Sequence, residues 1–195
     1  MHPYTFVLSA RTPIPDGDYE NTRPYEKRGW CYFELLTASI VKDMRCLWDL
    51  NLHKEGTAID FRKCMTTLNK GTRPPLTSPE QMARELREKK FTNDADIDVV
   101  ASLYEQGFVR AFDTQRQYRS SSISYQQLGW GTAQMPTLVA ALEYAEAHCR
   151  PKDAEEKEDV KLGLQLNSNK FTDADKVRMR AAFREGSTKF TLSSI

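Results

Sequence analysis

The sequence predicts a helix-rich α/β protein, with a small sheet, amphipathic helices and degenerate repeat units. Three observations carry this. Apolar residues recur at three- and four-residue steps over several long stretches. Two short segments, Tyr4 to Leu8 and Val160 to Leu166, have the β-branched, aromatic or alternating composition of strands. Two short strings also return later in the chain.

Along the chain, Tyr4 to Leu8 reads as a buried strand, followed by a loop from Thr12 to Pro24 broken by Pro13, Pro15 and Asp16-Gly17. Trp30 to Leu50 is the strongest helical pattern, and its bulky face suggests a central helix. A weaker helix holds Ile59, Phe61, Met65 and Leu68, closed by Asn69-Lys70-Gly71, and Pro74-Pro75 break the chain after it. Ser78-Pro79-Glu80-Gln81 has the serine cap, first-turn proline and capping-box glutamine of a helix start; this helix runs to about Lys90.

A further helix after Asp94 aligns Ile97, Val100, Leu103, Tyr104, Phe108, Ala111 and Phe112 on one broad face, with Gly107 as its weak point. Gln115 to Gln127 is polar and serine-rich and reads as loop. Helices are then expected from about Ala133 to Cys149 and from Ala174 to Arg184, with the strand Val160 to Leu166 between them. Arg150 to Asp159 is highly charged and reads as a solvated turn or a helix start.

The echoes pair Lys90-Phe91-Thr92-Asn93-Asp94 with Lys170-Phe171-Thr172-Asp173, and Tyr25 to Gly29-Trp30 with Tyr125 to Gly129-Trp130. Each precedes a helix. Stacked units of similar geometry and chance similarity between helix starts both remain open.

Composition limits the function. The chain has 195 residues, with 28 Lys and Arg against 27 Asp and Glu, a formal net charge of +1. That balance speaks against a protein that holds nucleic acid or an anionic membrane by bulk charge. No apolar run is long enough for a membrane span. Cys31, Cys46, Cys64 and Cys149 lack CxxC spacing, and with 3 histidines they form no zinc pattern. Free thiols in a cytoplasmic protein are expected. Asp94, Asp96, Asp98, Asp173 and Asp175 lack the glycine of a calcium loop and read as acids at helix N-termini, so no metal is expected.

Arg28-Gly29-Trp30-Cys31-Tyr32-Phe33-Glu34-Leu35 is the most distinctive string. It resembles the Trp-Cys-x-x-Glu-Leu helix of TIR domains, over about residues 4 to 50, and also resembles strings of uncharacterised TIR-like or leucine-rich-repeat-associated proteins of protists and algae. The resemblance implies a strand-and-helix region over residues 1–73, and NAD as a substrate with Glu34 as the catalytic carboxylate. It lacks the earlier strand and loop that shape the nucleotide pocket in that family, as in a diverged form or the tail of a longer chain. Val160 to Asp173 resembles one leucine-rich repeat, in which Asn169 would hold the backbone of the turn. It would belong to a helix-rich, repeat-like region over residues 76–195, separate from the first or continuous with it.

The expected function is a protein-interaction or scaffold module without catalytic activity or cofactor, binding a protein partner or larger assembly. Arg28, Trp30 and Trp130 are the candidate binding residues. The alternative is a NAD hydrolase or nucleotide-sensing fragment acting through Glu34. A glutamate alone cannot bind and orient NAD, which weighs against it.

Overall fold

The computed structural model describes residues 7–9, 17–18, 22–42, 46–58, 60–68, 73–117, 122–149, 162–184 and 190–194. Among them are six α-helices: α1 Gly29–Val41, α2 Phe61–Thr67, α3 Pro79–Leu86, α4 Asp96–Gln117, α5 Met135–His148 and α6 Asp173–Arg184. The strands are β1 Val7–Ser9, β2 Leu47–Asp49, β3 Ser122–Ser124, β4 Leu162–Gln165 and β5 Phe190–Ser194. The protein is thus helix-rich α/β. All the strand pairs are parallel: β1 with β2, and β4 between β3 and β5. Parallel neighbours need crossovers, and α1, α5 and α6 supply them. The two expected strands therefore lie in different sheets, the first observed as Val7–Ser9 because residues 4–6 lie outside the described set.

The long helix expected from Trp30 to Leu50 is shorter than its pattern. It stops at Val41, and Leu47–Asp49 is a strand buried along its whole length. A strand covered on both faces carries apolar residues in succession, as Leu47 and Trp48 do before Asp49 accepts from Asn51 N (3.0 Å) at the strand's end, so these two continue a helical spacing by coincidence. The stop has partners distant in sequence. The Arg73 guanidinium donates through Nε and Nη2 to Ser39 O (3.1 and 2.5 Å), and the Tyr125 hydroxyl donates to Ile40 O (2.6 Å). Two last-turn carbonyls are thereby satisfied without a glycine or proline. Burial pushes the Tyr125 phenol up to about 12, so it stays a donor at neutral pH.

The central helix is α4, not α1. Val100, Tyr104, Phe108 and Phe112 recur every four residues and are fully buried. They join one apolar core with Leu36 and Ile40 of α1, Met82 and Leu86 of α3, Leu138 and Leu142 of α5, and Leu164 of β4. That core takes residues from both sides of Pro74-Pro75. Full burial of one such aromatic contributes about 1.5–3 kcal/mol, so this stripe is a main source of cohesion.

Besides β2, two more strands fall where none was expected. Ser122–Ser124 has one apolar residue, and only its pairing with Gly163–Gln165 makes it a strand. Phe190–Ser194 carries a Phe-Thr-Leu alternation at its start that is a strand signal in retrospect. The helix starts agree with the sequence pattern in detail. Ser78 Oγ accepts from Gln81 N (3.2 Å) with Pro79 in the first turn, although Gln81 turns its amide to Glu85 (2.9 Å) rather than back to the cap. Asp60 Oδ1 caps α2. The segments 69–71 and 150–159 lie outside the described residues.

The sequence echoes occupy matching places. Arg28 and Lys90 form an isolated parallel bridge at the entrance of α1, and Gly131 and Lys170 form another at the entrance of α5. Phe91 and Phe171, each next to its lysine, are buried below. At the first bridge the ring of Phe91 fills the space where a side chain on Gly29 would begin: a Cβ there would lie 2.0 Å from the ring tip. The second is held by Asn169. Its Oδ1 accepts from Leu128 N (3.0 Å) and Trp130 N (3.2 Å), and its Nδ2 donates to Tyr125 O (2.7 Å) and Leu166 O (2.8 Å).

Candidate functional site

The residues singled out by the Trp-Cys-x-x-Glu string sit at the N-terminal end of α1. Arg28 precedes the helix in an extended conformation, and its Nε donates to Arg23 O (2.8 Å), which fixes the turn before the helix. Trp30, on the first turn, is 42% exposed. Its indole N–H donates to Asp96 Oδ2 (3.0 Å) at the start of α4, and its ring meets Phe33 edge to face at 6.0 Å. Glu34 is exposed one turn further along, on the same side as Trp30. Cys31 lies between them. Burial and then the Glu34 carboxylate push its thiol up, against a smaller opposing pull from Arg28, so it has no thiolate character at neutral pH.

The fourth candidate, Trp130, is elsewhere. It is 3% exposed, tilted against Tyr125 at 5.4 Å, and its indole N–H donates to Arg73 O (3.0 Å). The structure therefore brings Arg28, Trp30 and Glu34 to one helix end and puts Trp130 in the core.

Two neighbouring features were not legible in the sequence. The first is apolar. Val99 and Leu103 on α4 are 55% and 43% exposed, three and seven residues beyond Asp96. That spacing puts them on the helix face that begins at the Trp30–Asp96 hydrogen bond. Helix α1 packs against α4, and the Trp30–Asp96 bond sets the exposed Trp30 ring at the start of the α4 face that carries Val99 and Leu103. Leu103, expected on the apolar core face of α4, is instead exposed, because it lies at the edge of that face beside the buried Val100 and Tyr104.

The second feature is a cleft of about 280 Å³ lined by Arg23, Lys27, Glu88, Lys89 and Lys90. Glu34 is not in its lining. Lys89 Nζ sits 3.8 Å from the centroid of the Tyr32 ring, and the Tyr32 hydroxyl donates to the Glu85 carboxylate. Burial, and then that carboxylate, hold the Tyr32 phenol far above its ordinary range. Residues from two distant stretches line this cleft, which no local motif announces.

Three of the five acidic residues considered for a cation are held by protein donors. Asp96 accepts from Trp30, Asp173 pairs with Lys176 (3.1 Å), and Asp175 Oδ2 accepts from Thr132 Oγ1 (2.6 Å), Thr172 Oγ1 (2.8 Å) and Thr172 N (2.9 Å). Among the described residues no group of three or more His, Cys, Asp or Glu is placed to hold a metal ion. No disulfide joins Cys31, Cys46, Cys64 and Cys149. Among the described residues no helix is long and apolar enough to cross a membrane.

Comparisons of the chain with protein-family profiles, with curated proteins and with solved structures give no match.

Proposed function

We propose that this chain is a cytoplasmic protein-interaction or scaffold module without catalytic activity, and that it engages its partner through the Trp30–Val99–Leu103 surface. The observation that supports the reading is the 42% exposure of Trp30, which is bonded to Asp96 at the start of α4, the helix that also exposes Val99 and Leu103. Large aromatics on a surface are the usual anchors of interfaces, since they bury much area at little entropic cost. Trp30 is also pre-set: its bond to Asp96 and its contact with Phe33 fix the ring before any partner arrives.

The partner that suits this surface is an amphipathic helix with an apolar stripe and basic flanks. An apolar stripe along α4, bordered by α1, takes another helix in the manner of helix-in-groove recognition. The neighbouring Asp96 and Glu34 carboxylates favour lysine or arginine beside that stripe. A role for Glu34 at the rim of an interface needs no enclosed pocket, whereas nicotinamide cleavage needs one that also orients the ribose.

The test uses a designed Leu- and Lys-patterned helical peptide and the whole chain. Binding is expected, with Trp30→Ala weakening it by about 30-fold, the scale of an interface anchor, and Leu103→Asp by at least as much. Unchanged affinity in both variants overturns the surface assignment. In parallel, the chain is incubated with NAD and released nicotinamide is measured. Release that disappears in Glu34→Ala overturns the non-catalytic reading.

A further inference from the structure

We propose that the cleft between the turn before α1 and the turn after α3 binds a compact solute carrying two or more phosphoryl groups. Its lining is made wholly of charged residues, four cationic (Arg23, Lys27, Lys89, Lys90) and one anionic (Glu88). The cations come from two segments that the backbone holds side by side. Lys90 N donates to Lys27 O (3.0 Å), and Gly29 N donates back to Lys90 O (2.9 Å). This two-bond ladder fixes Lys27 and Lys90 at the spacing of paired strands, so Lys27 cannot move away from the lysine pair without breaking the bridge. The Arg28 bond to Arg23 O holds the preceding stretch against the same turn.

Such crowding of like charge is costly unless an anion offsets it. Lys89 registers the cost: burial first and the Lys27 charge second depress its pKa, while Glu85, Glu88 and Glu26 pull it upward. Of these carboxylates only Glu88 lines the cleft, and Glu85 is engaged by the Tyr32 hydroxyl and by Gln81 Nε2 (2.9 Å). Lys90 reaches Asp94 only at 4.0 Å, in an exposed pair worth little. Among the lining residues themselves, four cations stand against the one carboxylate of Glu88.

Size and chemistry narrow the ligand. At about 280 Å³ the cleft lies below the usual range of about 300–1,000 Å³ for drug-sized molecules. No apolar or aromatic residue lines it, so the one planar face it offers a flat ring is the Arg23 guanidinium. What remains is recognition by charge and hydrogen bonding, which suits phosphoryl oxygens. Glu88, opposed to a second anion, would accept from a hydroxyl next to the phosphates or orient a lysine.

Inorganic pyrophosphate is the probe, titrated into the whole chain at low salt and followed by calorimetry and by backbone amide shifts. Saturable binding is expected, with shifts concentrated at residues 23–30 and 88–90. Lys27→Glu is expected to weaken it about tenfold or more, and Lys27→Arg to retain it, since both long cations reach the same anion. Arg23→Gln, an exposed change with little risk to folding, is expected to weaken it less. Phosphatidylcholine vesicles carrying a phosphoinositide form a second arm. Co-sedimentation that pyrophosphate competes away and Lys27→Glu abolishes locates the phosphoryl groups on a lipid headgroup in the same cleft. Its absence alongside pyrophosphate binding locates them on a free solute. No binding of either probe, or affinity unchanged in Lys27→Glu, overturns the assignment. The peptide and NAD experiments use different residues, so either proposal can fail alone.

Discussion

Trp30 and Trp130 end the same Tyr-to-Gly-Trp string and each stands just before or within the first turn of a helical segment, yet one is 42% exposed and the other 3%. The difference lies in register. At the entrance of α1, Lys90 N bonds the carbonyl of Lys27, whereas at the entrance of α5, Lys170 N bonds the carbonyl of Trp130 itself. Aligned on their tryptophans, the two strings are therefore bridged three residues apart. The slip carries Trp30 into the first turn of α1, facing outward against Asp96. It leaves Trp130 in the bridged segment, facing the core under Arg73. A repeated sequence thus gives a repeated bridge, but not a repeated role for its largest side chain.

The two tryptophans give the sharpest way to break this comparison. Trp130→Ala is expected to cost about 3–5 kcal/mol, as for a fully buried aromatic, and Trp30→Ala less than about 1 kcal/mol, as for a surface residue. Chemical denaturation of both variants measures the contrast, and equal losses would remove it. Next comes the close approach that belongs to the first bridge alone. Gly29→Ala drives a Cβ into the buried Phe91 ring and is expected to cost about 2–3 kcal/mol. Gly131→Ala meets only the Lys170 carbonyl at 3.3 Å and is expected to cost less. Thermal melts of the pair decide whether the asymmetry holds.

The smallest effect is one of pH, and belongs to the second bridge. Hydrogen bonds from Thr132 and then Thr172 hold the Asp175 carboxyl below its ordinary value of 3.8. A carboxylate with a folded pKa below its unfolded one stabilises the fold above the unfolded value, and this is lost as pH falls through the folded one. Wild type is therefore expected to lose stability below about pH 4 more steeply than Asp175→Asn. Parallel acid-denaturation curves would show that the network around Thr132 and Thr172 does not depend on the charge.

The helices were legible because their burial is one-sided and periodic. The stripe Val100, Tyr104, Phe108 and Phe112 could be read directly, as could the Ser78-Pro79 start. What was not legible depends on partners far along the chain. The end of α1 is set by Arg73 and Tyr125, β3 is a strand only beside β4, and β2 hides in an apolar run. The candidate site divides the same way. Arg28, Trp30 and Glu34 are neighbours in sequence and share one helix end. Arg23 and Lys27 meet Lys89 and Lys90 only through the bridge, a pairing that no local pattern announces.

Asn169 has a consequence for how this chain can change over evolutionary time. One amide spans the turn after β3 and the turn after β4, touching backbone at Tyr125, Leu128, Trp130 and Leu166. Adding or deleting a single residue in either turn would pull at least one of those four groups out of reach. Descendants that keep the asparagine are therefore bound to keep both turn lengths, and have to place their insertions elsewhere.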